Sequence, residues 1–318
     1  MADASISVPG QVAIRRGLRE GGVYVALAGV VVFNLLFTPN FASLDNARLQ
    51  LVQVAPVVVV ALGMALVIGT GGIDLSVGSV MAIAAALIPA YLGYGPWVAI
   101  GVAIVGGMAI GLLNGTLIAW LGLQPIVATL GTLVAGRGLA LVIAEGRLTE
   151  LFDPTLRKIG TGSIVGLPYT VLIATGLGVL IAVVVKRTLF GRRVVAIGGN
   201  REAATLAGLP VVRSLLFVYI LCAGLAAVAG VMATSRALAS DPSFVGLLIE
   251  LNAITAVVVG GTALTGGRVR VVGTIAGAIL MQLIIATLIR HNLPDSAARM
   301  VQAAVIVAAV YLQRDRVS

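Results

Sequence analysis

The chain has 318 residues, of which 59% are hydrophobic before glycine is counted and only 10% are charged. A typical soluble domain is about 45–50% apolar with glycine included and about 25% charged, so this chain cannot cover its own surface in water, and lipid is its solvent. The net charge of +9 does not call for nucleic acid, because Lys and Arg accumulate in the cytoplasmic loops of membrane proteins.

Forty glycines and only 5% aromatic residues suit a bundle in which helix backbones approach closely. The apolar runs are long and unbroken, whereas a transmembrane barrel alternates over about ten residues. The expected class is therefore an all-α polytopic membrane helix bundle, a single domain over residues 1–318. The lone cysteine, Cys222, allows no intrachain disulfide and argues for no metal or thiol site. His291 lies in a short polar break beside Asn292 and Pro294 and reads as a loop residue. Without a His, Cys or paired-carboxylate constellation, no catalytic residue is expected and a membrane-embedded enzyme is disfavoured.

Residues 1–21 are mixed and polar, with Arg15, Arg16 and Arg19, and no cleavage site follows a short apolar stretch. They read as a cytoplasmic tail with room for a short surface helix. A spanning helix needs about 20 mainly apolar residues. Ten segments qualify: 22–38, 50–70, 77–94, 96–120, 125–145, 167–186, 214–236, 250–265, 271–290 and 298–313. The eighth is short and glycine-ended, so it is open to being broken or re-entrant, and the tenth is only just long enough. With the N-terminus inside, thirteen basic residues fall on inner segments: Arg15, Arg16, Arg19, Lys186, Arg187, Arg192, Arg193, Arg201, Arg213, Arg268, Arg270, Arg314 and Arg316. Six fall outside: Arg48, Arg147, Arg157, Lys158, Arg290 and Arg299. The positive-inside rule therefore places both ends in the cytoplasm.

Between the second and third spans the chain reads Gly71-Gly72-Ile73-Asp74-Leu75-Ser76-Val77-Gly78-Ser79-Val80. Residues 260–269 read Gly-Gly-Thr-Ala-Leu-Thr-Gly-Gly-Arg-Val and align with it without gaps, with Ser76 facing Thr265 and Ala263 opposite Asp74. The match suggests either a duplicated architecture or a shared turn geometry. A Gly-Gly pair permits positive φ, and Ser76 or Asp74 can cap the third helix. An acid near the membrane is also a functional candidate, as is Arg137 in the fifth span. Arg137 can pair with an acid, snorkel or line a pathway. Asn114, in the fourth span, can bond a neighbouring helix or a solute.

Two outer loops, 146–166 with Asp153-Pro154 and 237–249 with Asp241-Pro242, carry turn signals. The long inner loop, 187–213, runs from Phe190-Gly191-Arg192 to Asn200-Arg201-Glu202-Ala203-Ala204 and on to Gly208. Residues 201–207 can form a short helix ended by Gly208 and Pro210. Its alanine face can dock in another protein's groove, or the helix can simply lie on the membrane, held by its arginines.

Together these segments resemble the permease subunits of bacterial ATP-binding-cassette importers for simple sugars, the ribose, xylose, arabinose and galactoside type. Four blocks carry the resemblance. The Gly-Gly-Ile-Asp-Leu-Ser-Val-Gly block stands at 71–78. The Asn-Gly to Arg-Gly run, with Thr129-Leu130-Gly131-Thr132 inside it, stands at 114–138. The Phe-Gly-Arg loop stands at 190–208, and the Gly-Gly-Thr-x-Leu-x-Gly-Gly turn at 260–267. The resemblance extends more loosely to nucleoside and branched-chain amino-acid permeases, and permeases for a signalling furanose look alike in these blocks. It implies a second permease subunit, a periplasmic or lipid-anchored solute-binding protein and a cytoplasmic ATPase in the bacterial inner membrane. ATP and magnesium would be used by the ATPase, with no cofactor or metal held by this chain. It further implies ATPase coupling through Phe190, Gly191, Arg192, Asn200, Glu202, Ala203, Ala204 and Gly208. Asp74, Ser76, Asn114, Thr129 and Arg137 are the residues assigned to the pathway or its gates. The Arg268-Val269-Arg270 end of the second turn is more basic than expected, as if to meet anionic lipid or the ATPase. The rival class, an ion-coupled secondary transporter acting alone, would be expected to carry more ionisable residues within its spans.

Overall fold

The computed structural model describes residues 9–313. The first eight residues of the expected tail, and Arg314 and Arg316, lie outside them. The order is α1 (Pro9–Phe37), α2 (Leu44–Gly69), α3 (Val77–Tyr91, continued by a 3-10 turn, Leu92–Tyr94), α4 (Pro96–Ala119) and α5 (Pro125–Ile143). Then come β1 (Thr149–Glu150), α6 (Pro154–Thr161), β2 (Ser163–Ile164), β3 (Leu167–Pro168), α7 (Tyr169–Arg187), α8 (Leu189–Gly199) and α9 (Arg201–Leu206). The chain closes with α10 (Val211–Ala237), β4 (Ala239–Ser240), α11 (Ile249–Val259), α12 (Val271–Arg290) and α13 (Asp295–Gln313).

The protein is thus a helix bundle, and each of the ten expected spans overlaps a helix. Among the described residues, seven helices are long and apolar enough to cross a bilayer: α2, α3 with its extension, α4, α5, α7, α10 and α12. The apolar part of α1 is Gly21–Phe37, and α1 itself runs without a break from Pro9, where the sequence reading had a separate tail. The expected span 250–265 is helical only over Ile249–Val259, because Gly260 and Gly261 end it.

Helix starts follow the expected chemistry. Pro96 and Pro125 stand in the first turns of α4 and α5, where their missing N–H is no loss. Asp153 Oδ1 accepts from the backbone N–H groups of Thr155 (2.8 Å) and Leu156 (2.9 Å), which makes a helix, α6, of what reads as a plain turn.

The core is built around α2 and α10, which are buried on nearly every side. Glycines set the spacing. Gly107, Gly111 and Gly115 form one ridge of α4, four residues apart. A Cβ at Gly111 would lie 2.5 Å from the Tyr219 carbonyl oxygen of α10, and one at Gly115 3.0 Å from Leu216 Cα. Gly63 of α2 meets the Cys222 backbone of α10 in the same way, at 2.9 Å from its Cα. Small residues at such seams let dispersion contacts replace the hydrophobic drive that lipid does not supply.

The two loops expected on the outer side are tied together. Strands β1 and β4 pair antiparallel, Thr149 with Ser240 and Glu150 with Ala239. Strands β2 and β3 make a small hairpin. Helix α6 seats Gly160 directly on the Ser235 backbone of α10. After β4 the chain descends along α3, from Ala85, whose carbonyl accepts from Ser240 Oγ at 2.6 Å, to Gly78, which abuts Gly246. Gly78 lies about 20 Å along the helix axis from Tyr91, so residues 241–248 carry irregular backbone down one side of α3, with Pro242 buried and Ser243, Phe244 and Leu247 exposed.

The two Gly-Gly turns share a helix-ending geometry. Gly71 (φ +80°) bonds back to Ile68 O and Gly72 to Val67 O. Gly261 (φ +88°) bonds back to Val258 O and Thr262 to Val257 O. Gly71 therefore matches Gly261, one residue later than the gapless alignment. The second turn is also longer, reaching α12 at Val271 where the first reaches α3 at Val77.

Candidate functional site

The turn into α3 gathers the residues assigned to the pathway or its gates. Asp74 Oδ1 accepts from the Ser76 backbone N–H (2.9 Å) and from Ser76 Oγ (2.6 Å). Ser76 stands at the cap position of α3, but its hydroxyl turns to Asp74 and caps no backbone N–H. Asn114 of α4 donates through Nδ2 to Ser76 Oγ at 2.8 Å, and its Oδ1 accepts from Thr132 Oγ1 of α5 at 2.7 Å. Ser79 Oγ donates to Ser76 O at 2.8 Å. The Thr129 hydroxyl lies 2.8 Å from Pro125 O and 3.3 Å from Ile73 O. One chain of hydrogen bonds therefore links the turn, α3, α4 and α5.

Asp74, Ser76, Asn114 and Thr129 are all fully buried within the protomer. They join helices to one another and present no surface to solvent in this conformation. Cys222 and Tyr219 of α10 face Asp74. Asp74 Oδ2 and the Tyr219 hydroxyl have no hydrogen-bond partner among the described residues. The site is thus a buried polar seam whose bonds would have to break or exchange whenever α3, α4 and α5 shift relative to one another.

Arg137 lies further along α5 than Thr129 and Thr132 and bonds not to this chain of hydrogen bonds but to the segment after β4. Its Nη1 donates to Pro242 O (2.9 Å) and Val245 O (2.7 Å), two carbonyls of the irregular 241–248 segment. Irregular backbone at membrane depth needs such partners. A Cβ on Gly78 would lie 2.6 Å from Glu250 Oε2 and 3.5 Å from Arg137 Nη2, so an acid and a base flank this glycine. Of the readings open for Arg137, the structure shows a latch on backbone carbonyls close to an acid from α11.

The loop expected on the inner side, 187–213, is a two-helix arm. Asn200 caps α9, its Oδ1 accepting from Ala203 N–H at 2.8 Å, and Gly208 (φ +75°) follows the end of α9 in the left-handed region. Gly191 is buried against the Val185 backbone, Ala204 is buried, and Phe190 packs on the main core. These residues hold the arm in place, while Arg192, Arg201, Glu202, Ala203 and Thr205 are exposed. Leu206 is 84% exposed at the tip of α9.

Sequence reasoning missed Thr132, Glu250 and Leu206. Thr132 stood within the Thr-Leu-Gly-Thr run, and its place on α5 one turn from Thr129 was the available signal. An isolated leucine at the end of a short polar helix was the signal for Leu206. Glu250 was hidden by its reading as the edge of a span.

A protein-family model described as "Branched-chain amino acid transport system / permease component" matches residues 47–310. The chain is 37% identical to the fructose import permease protein of Bifidobacterium longum over 89% of this chain and 82% of that one. It is 37% identical to the galactofuranose transporter permease protein of Escherichia coli, over 92% and 89%. With the ribose import permease protein of Bacillus subtilis the identity is 36%, over 94% of both chains. No solved structure matches the chain. The multi-pass helix bundle and this match over most of its length make the chain a member of the branched-chain amino acid transport system / permease component family.

Proposed function

We propose that this chain is the transmembrane permease subunit of an ATP-binding-cassette importer, providing the pathway by which a monosaccharide or related small polar solute enters a bacterial cell. It is a translocation component and not an enzyme. The reading draws its solute class from relatives named for fructose, galactofuranose and ribose. The observation that carries it is the α8–α9 arm, anchored by Gly191, Ala204 and Phe190 and presenting Arg201, Glu202, Thr205 and Leu206 outward. A projecting arm with a fixed base and an exposed tip suits transmission of movement from a partner.

On this reading the chain is one permease domain crossing the inner membrane ten times with both ends in the cytoplasm. The arm, residues 187–213, is the coupling loop, and its exposed residues Arg192, Arg201, Glu202 and Ala203 meet a separate ATPase, which uses ATP and magnesium. A solute-binding protein delivers to the outer face, a second permease subunit completes the pathway, and the inner basic residues meet anionic lipid. Asp74, Ser76, Asn114, Thr129 and Arg137 form the seam that changes when the gate moves.

The test is purification from native membranes in mild detergent. An ATPase subunit should accompany the chain, and its ATP hydrolysis should rise when sugar-loaded binding protein is added. Glu202→Arg and Leu206→Asp should each lower ATPase recovery while the chain still inserts normally. Proton- or sodium-coupled uptake by the chain alone in vesicles would overturn the reading.

A further inference from the structure

Three glycine-bearing segments that are far apart in sequence meet at one point. These are the end of α2 at Gly69 with Gly71, the end of α8 at Gly198 and Gly199, and the second turn at Gly266 and Gly267. Gly267 N–H donates to Gly69 O at 3.1 Å, a direct backbone bond between the two turns. Gly198 lies over that bond. A Cβ there would fall on the Gly69 carbonyl oxygen and 2.5 Å from Gly267 N. Gly266 (φ +86°) is equally enclosed, since a Cβ would lie 2.8 Å from both Gly198 O and Gly71 N. Val194 of α8 and Val269 of the second turn fill the space where a Gly69 side chain would stand.

We infer that this glycine junction is a mechanical clamp. It ties the inner arm to both Gly-Gly turns at once, with Gly198 as the positioning residue. One turn leads through Asp74 and Ser76 into α3, and the other leads into α12. A displacement of α8 would therefore reach both halves of the bundle through backbone contacts, without a side chain that can change rotamer and absorb it. Glycine at 198 is required by contact: its surroundings are main chain, which cannot step aside. Gly199, one residue on, has open space where a Cβ would stand, with nothing within 4 Å, so a side chain there leaves the clamp undisturbed.

The inference rests on the importer reading, and its test separates the two. The wild-type chain is reconstituted in liposomes with its ATPase and binding protein, and solute transported per ATP hydrolysed is measured. If the wild-type chain binds no ATPase, the importer reading fails. If it does, Gly198→Ala should leave ATPase recovery and basal hydrolysis near the wild-type level. The transported-to-hydrolysed ratio should meanwhile fall by about tenfold, and Gly199→Ala should behave as wild type. Val269→Ala, which removes bulk from the clamp rather than inserting it, should lower the ratio by about threefold, within the range that mutations along a coupling route produce. It serves as the deciding variant if Gly198→Ala does not accumulate. An unchanged ratio in Val269→Ala, or in a well-folded Gly198→Ala, overturns the clamp. So does a loss that tracks ATPase recovery, as expected of a simple contact residue.

Discussion

Asp74 has two separable properties, a charge and an acceptor oxygen, and the structure makes use of the second. Its Oδ1 organises Ser76, which in turn receives Asn114. Asp74→Asn retains a carbonyl acceptor of the same shape, so it should fold with little change in its thermal midpoint. Asp74→Ala removes the acceptor and leaves the buried Ser76 N–H unsatisfied, at a cost of about 1–3 kcal/mol. Thermal unfolding in detergent, followed by tryptophan fluorescence, checks both. Equal destabilisation of the two variants would show that charge, not hydrogen bonding, holds the turn. The residues of this seam were legible because polar groups are conspicuous in so apolar a chain. Their partners were not: Asn114 and Ser76 stand 38 positions apart, and no local pattern pairs them. Gly198 was less legible still, since its importance lies wholly in main-chain atoms more than sixty residues away in either direction.

At the scale of elements, the informative feature is the irregular segment that runs down α3 before α11 begins. Arg137 holds it by two carbonyls, and hydrogen bonds to a charged group are worth about 1.5–3 kcal/mol each. Arg137→Met should therefore loosen the segment. Ser240 is buried against α3, and the one native cysteine is also buried, so Ser240→Cys reports on opening with little background. Its alkylation rate should rise by at least about tenfold in the Arg137→Met background. An unchanged rate would show that the segment is held by packing alone. The sequence reading expected a turn here and a short or broken eighth helix. Pro242 and the Gly260-Gly261 pair carry those signals, but a descent along α3 has no signature in local propensity. Helix α6 was missed for a related reason. Asp153-Pro154 marks a turn and a helix start equally well, and the burial of Gly160 on α10 decides between them.

At the scale of the whole molecule, orientation is an electrostatic argument that accessibility can check. Phe152 is 82% exposed on the loop assigned to the outside, and Leu206 is 84% exposed on the arm assigned to the inside. In intact cells a membrane-impermeant maleimide should label Phe152→Cys and spare Leu206→Cys, and inverted vesicles should show the reverse. The opposite pattern would place the arm away from any cytoplasmic ATPase. Fold class and helix positions were readable because lipid imposes length and apolarity on every crossing. The arrangement of those helices was not, because it is set by which glycine faces which backbone. The ridge of Gly107, Gly111 and Gly115 presses α4 onto α10, and Gly63 presses α2 onto α10. The centre of the chain is therefore closely packed, main chain against main chain at the glycine seams and side chain against side chain between them, a wall rather than a pipe. On the importer reading a hydrated solute travels along the wall's outer surface, and one wall encloses nothing. The smallest enclosure is two walls face to face, so on the importer reading a single polypeptide of this design supplies only half of the surface that its cargo touches.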